Sequence, residues 1–171
     1  MLNRTIALVV GFTAASVAGQ IAWAQRDAAS KIDGAAYEAP YFYDTVGAYQ
    51  SNAYAHAQVL TSATASGVAV PKSVAKEHTD AIRSNLQAAA KHHASLKQSA
   101  KGNAAAAKHL DAIDEHHKKA LGLAGEIDAA TASGKGDAGK VNKLSSSLSA
   151  ELKAAQEKHK QVADHLKGDK K

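Results

Sequence analysis

The chain has 171 residues and a formal net charge of +5, and although 45 % of it is nominally apolar, 40 residues are alanine, so large apolar side chains are scarce. That length allows one small domain. The absence of cysteine excludes disulfides, thiolate metal sites, CxxC redox chemistry and c-type haem attachment, and two prolines, five tyrosines and one tryptophan leave too little turn and aromatic content for a many-stranded β fold.

In chain order, residues 1–24 read as a secretory signal peptide. Arg4 supplies the positive end, Ile6 to Gly19 an apolar stretch of 14 residues, and Ala22-Trp23-Ala24 the small residues that precede cleavage before Gln25. Gln20 interrupts the apolar run short of the ~20 residues a membrane span needs, so no span is expected after cleavage. The mature chain of 147 residues, having lost only Arg4 among charged residues, carries +4 and is expected in the periplasm or secreted. Its charges are interspersed rather than gathered on one face, which argues against a nucleic-acid partner. Residues 25–39 are expected to form a flexible leader.

A first helix is expected from about Pro40 to Ser66, on the stripe Phe42, Val46, Tyr49, Ala53, His56, Leu60 and Ala63. Gly67 suits its end and Pro71 opens the second. There the stripe is Ala75, Thr79, Ile82, Leu86, Ala89, His93, Leu96 and Ala100, closed by Lys101-Gly102-Asn103, a turn too tight for anything but an antiparallel hairpin. The third carries Ala106, Leu110, Ile113, His117, Ala120, Ala124 and Ile127. After Ser133-Gly134-Lys135-Gly136-Asp137, with Asp137 as cap, the fourth shows Val141, Leu144, Leu148, Leu152, Ala155, His159, Val162 and Leu166. The expectation is an all-α, up-down-up-down antiparallel four-helix bundle over residues 40–167 with a disordered tail at 168–171. Leu, Ile, Val and Phe number only 22 of the 147 mature residues, a composition that borders on disorder; alanine's helix propensity and the small net charge favour a bundle with a thin core. The mature aromatics, Tyr37, Tyr41, Phe42, Tyr43, Tyr49 and Tyr54, gather at one end, as a plug or as the border of a polar site.

All nine histidines fall in the helical segments. Reflecting the second helix onto the third about residues 101–103 sets His93 opposite Asp111, two residues from His109, with His92 at the same level. Reflecting the third onto the fourth about residues 132–137 sets His159 opposite Leu110. His93, His109 and His159 are therefore the expected main ligand set, and His56, His78 and His117, near Glu77 and Asp80, a looser second one. Imidazoles from separate helices suit a divalent transition metal, each giving one lone pair at about 2 Å. With no sulfur ligand in the mature chain, Cu(II), Zn(II) or Ni(II) is the expected class. Binding is expected to weaken below about pH 6 as imidazoles protonate. No Glu-x-x-His for a di-iron site occurs, only Asp114-x-x-His117. The architecture resembles the periplasmic four-helix bundles that hold a b-type haem, but Met1 is the sole methionine and their Met/His pair cannot form, leaving a bis-histidine haem as the weaker cofactor reading. No spacing links serine, histidine and aspartate into a catalytic set, and no phosphate loop occurs. The chain reads as a non-enzymatic protein that buffers or carries a metal. The alternative is an envelope structural or interaction bundle with surface histidines, self-associating or packing on partner helices.

Overall fold

The computed structural model describes residues 35–168 apart from 135, with side chains described over 40–165. The expected signal peptide, most of the expected leader, the side chain of Leu166 and the end of the expected tail lie outside the described residues. Four helices account for nearly all of the rest: α1 (Ala35–Ala65), α2 (Lys72–Ser99), α3 (Ala104–Thr131) and α4 (Ala138–Gly168). α1 starts five residues before Pro40, so the helix includes the last residues assigned to the leader. Pro40 lies beyond the first turn, where its ring removes the backbone donor that would bond one turn back.

The helix ends follow local chemistry. Asn103 caps α3 by accepting a hydrogen bond from the Ala106 amide, and Asp137 Oδ1 accepts one from the Lys140 amide at 2.7 Å, each satisfying an orphan donor of a first turn. Gly102 sits at φ +98°, a left-handed conformation that lets the α2–α3 connection close in four residues. At the opposite end the two longer connections bond to each other, Lys72 N to Gly134 O at 2.8 Å and Gly136 N to Val70 O at 3.2 Å. A Cβ on Gly136 would come within 2.7 Å of Thr131 Cγ2 and 2.8 Å of Val141 Cγ2, so only glycine fits. Replacing Asn103 with Ala is expected to cost about 1 kcal/mol, measurable as a lower urea midpoint with unchanged slope.

Every sequential pair of helices is antiparallel. Tyr49 meets His92 and His56 meets His78 across α1 and α2; Lys97 meets Asp111 and Thr79 meets Asp128 across α2 and α3. His109 meets His165 and His116 meets Glu151 across α3 and α4, while Tyr43 meets His159 and Thr64 meets Asn142 across α1 and α4. The four helices thus form a ring of neighbours around one core, an all-α four-helix bundle.

That core is divided. One apolar cluster, including Leu60, Ile82, Leu86, Ile127, Leu148 and Leu152, occupies the end with the longer connections. A smaller one, built on Leu96, Leu110, Ile113 and Val162 with Phe42 and Tyr43 against it, occupies the α2–α3 turn end. Between them each helix contributes one buried polar side chain: Gln50 from α1, His93 from α2, His117 from α3 and His159 from α4. Alanines on every helix bring the backbones close enough to bury this layer.

Candidate metal centre

The inward stripes of α2 and α3 follow the expected spacing, α4 departs from it where Ser145 and Ser149 are buried and Leu144 is only half-buried, and the three helices carry His93, His117 and His159 into the core, at 1 %, 5 % and 4 % exposure. On α1 the inward residues are Val46, Gln50, Ala53, Ala57, Leu60 and Thr64. They share Val46, Ala53 and Leu60 with the expected stripe but take the neighbour four residues on rather than three. Tyr49 and His56 therefore turn toward α2, and Gln50, absent from the expected stripe, completes the layer.

His93 Nδ1 lies 2.7 Å from Asp114 Oδ1, and Lys97 holds the other carboxylate oxygen at 2.5 Å. A carboxylate accepts, so Nδ1 carries the proton and Nε2 presents a bare lone pair. That Nε2 is buried without a partner. Gln50 Nε2 lies 3.0 Å from His117 Nε2 and donates to it, leaving Gln50 Oε1 buried and unpaired. His159 has no partner for either ring nitrogen. Its ring stacks on Tyr43 at a centroid distance of 3.9 Å and an interplanar angle of 11°, so tyrosine borders the layer with its ring face. The His93 and His117 rings lie 6.3 Å apart.

Burial is the largest influence on all three imidazoles and disfavours the charged form. It lowers His117 to about 4, with His93 and then His116 and His159 acting in the same direction and Asp114 opposing. His159 also falls to about 4 through burial, reinforced by His93; the Tyr43 carbonyl opposes this without reaching hydrogen-bond geometry. His93 is lowered too, against the pull of Asp114. All three are therefore neutral at pH 7 and in the protonation state a metal requires. The pH below which protons compete for these nitrogens consequently lies below the value of about 6 expected for exposed imidazoles.

The other candidate residues are placed differently. His109, expected in the main set, stacks on His165 at 5.2 Å in the groove between α3 and α4 and is only part-buried. His117, expected in the looser set, occupies the main layer instead. The cause is the hairpin register, since His93 meets Asp114 rather than Asp111, three residues farther along α3. Each helical side chain leans about one position toward its own N-terminus, and in an antiparallel pair both leans displace the match in this direction. His56 and His78 form a separate pair across α1 and α2, their Nδ1 atoms 2.9 Å apart, so one ring donates and the other accepts. Burial lowers both, the neighbouring ring adding to this at His78 and Glu77 opposing in each case. His92 stands among Tyr41, Phe42 and Tyr49, its ring nearly parallel to that of Tyr49. His116, outside the expected ligand set, pairs with Glu151 at 2.7 Å.

Among the described residues no three His, Asp or Glu side chains are drawn together as closely as a coordination sphere requires. Two imidazoles sharing a tetrahedral ion, with bonds of about 2.0 to 2.1 Å, set their ring centroids roughly 5 Å apart, so His93 and His117 would each turn inward by a fraction of their present separation. Comparison with family models, with curated proteins and with solved structures finds no match for this chain.

Proposed function

We propose that this chain is a periplasmic or secreted, non-enzymatic bundle that buffers or carries a divalent transition metal, Cu(II), Zn(II) or Ni(II), on the interior imidazoles His93, His117 and His159. The observation that carries this reading is the buried polar layer between two apolar clusters, in which His93 Nε2 and both His159 nitrogens lack any partner. Each unpaired buried polar atom costs about 1 to 3 kcal/mol, a cost that an ion accepting one lone pair from each ring would offset in part. Asp114 stands behind His93 as carboxylates stand behind metal-bound imidazoles, fixing the tautomer and raising ligand basicity. Gln50, by contrast, donates to the bare nitrogen of His117, and its amide would have to turn, so that Oε1 accepts from Nε2–H, to leave Nδ1 of His117 free for an ion. His56 and His78 are two further, weaker donors, and His92 and His109 stand outside the main set.

Calorimetric titration of the chain lacking residues 1–24 with Zn(II), Cu(II) and Ni(II) at pH 7 tests the reading. One ion per chain is expected, with His93→Ala and His159→Ala each weakening affinity at least tenfold, as loss of one ligand in three implies. His165→Ala should change it little. Equal effects of His159→Ala and His165→Ala would reduce the histidines to a surface patch and leave the envelope structural bundle as the better account.

A further inference from the structure

The interior layer is not sealed on every side. Between α1 and α4 a groove of about 250 Å³ runs from the surface past Asp44, Gln156 and Tyr43 and ends on Gly47, Gln50 and His159. His159 forms its floor at 4 % exposure, with both ring nitrogens unpaired. Directly across from that ring stands Gly47, where an added Cβ would lie 3.2 Å from His159 Nε2 and 3.4 Å from Cδ2. A contact of 3.2 Å is tighter than nearly all real Cβ contacts, so a side chain at position 47 would crowd Nε2 and the ring would have to give by a few tenths of an ångström.

Helix chemistry gives no reason for glycine at this position. Gly47 lies in the middle of α1, without a positive φ, where alanine would be the better helix former. Its missing side chain instead leaves the groove side of the His159 ring uncovered. The lining offers a hydrated divalent ion the oxygens of a carboxylate and a carboxamide, Asp44 and Gln156, against the one ammonium there, Lys160.

We propose that the α1–α4 groove is the inlet by which a divalent transition ion reaches the interior imidazoles, that His159 is the first of them to capture it, and that Gly47 holds the passage open. This inference rests on the metal-binding reading above and adds to it a route and an order of engagement. Because the groove lies on one side of the layer, an ion would meet His159 before His93 and His117.

Stopped-flow uptake of Ni(II), followed through quenching of tyrosine emission, tests it on the chain lacking residues 1–24, where no tryptophan interferes. Gly47→Ala is expected to slow uptake at least tenfold while helicity is retained. Gly122→Ala is the control: it is an exposed glycine within α3 with nothing within 4 Å of an added Cβ, and it makes the same change in helix propensity without approaching the groove. Its uptake should match that of the unmodified chain. If Gly47→Ala takes up Ni(II) at the unmodified rate while His159→Ala binds weakly, the inlet is overturned and the metal reading stands. If Gly47→Ala slows uptake but His159→Ala leaves rate and affinity unchanged, His159 is not the point of capture and the proposal fails. If the unmodified chain binds no Ni(II), Zn(II) or Cu(II), both readings fall together.

Discussion

In metal-free solution the bundle is expected to lose most of its stability between pH 6.5 and pH 4. Well above pH 6.5 the interior imidazoles His93, His117 and His159 are neutral in folded and unfolded chains alike and add no pH dependence. Below it the unfolded chain takes up protons that native His117 and His159, each held near 4 by burial, refuse. The unfolded state is thereby favoured, increasingly until pH falls through the native value. At 1.36 kcal/mol per unit, each of the two costs about 2 kcal/mol by pH 5 and about 3 by pH 4. His93, lowered as well, adds in the same direction, tempered by Asp114. Against a total of about 5 to 15 kcal/mol for a typical domain, and a thin core here, that loss is enough to unfold the chain near pH 4 to 5. Urea unfolding followed by circular dichroism at pH 7 and pH 5 measures it. A double substitution His117→Gln and His159→Gln, which removes both titrating groups and keeps polar side chains of similar reach, should flatten the profile. An unmodified chain equally stable at both pH values would mean that the rings accept protons in the folded state.

Leu110→Ala is expected to be the most damaging single truncation at the α2–α3 turn end. Leu110 is fully buried in a cluster whose other large members are Leu96, Ile113 and Val162, with alanines filling the rest. Removing three carbons there deletes transfer energy and opens a cavity that rigid helices cannot close, a cost of about 2 to 5 kcal/mol. In thermal unfolding this lowers the midpoint by on the order of 10 °C. Val59, 39 % exposed on α1, is the comparison: Val59→Ala should stay within about 0.5 kcal/mol of the unmodified chain. Comparable shifts for the two would show that the small cluster is not packed as a core. The prediction is independent of metal, so it also separates loss of fold from loss of binding when the histidine variants are interpreted.

Helix number, helix type and most helix ends were legible from residue order because they depend on near neighbours. The three-and-four spacing of Leu, Ile, Val and Ala selects a helical face within a single segment. Gly102, Asn103 and Asp137 act within a turn of where they stand, and each appears in the structure in the role its chemistry implies. The burial of His93, His117 and His159 followed from the same local periodicity.

Tertiary structure alone decided which of these residues meet. On α1 both His56 and Ala57 adjoin the row of Val46, Ala53 and Leu60, one on each flank, and periodicity cannot choose between flanks. The choice depends on whether α2 or α4 lies beside a given flank, and with α2 beside Tyr49 and His56 the inward place fell to Gln50. A lone glutamine beside Tyr49 reads as surface from sequence, and only a partner 67 residues away, His117 at 3.0 Å, marks it as interior. His109 and His117 exchanged roles for a similar reason. Loop length counts residues between helices, but contact depends also on the lean of side chains along their axes, which carried His93 past Asp111 to Asp114. Local periodicity therefore determined that imidazoles enter the core, and helix packing determined which of them share a layer, because the first is a property of one helix and the second of two helices at a time.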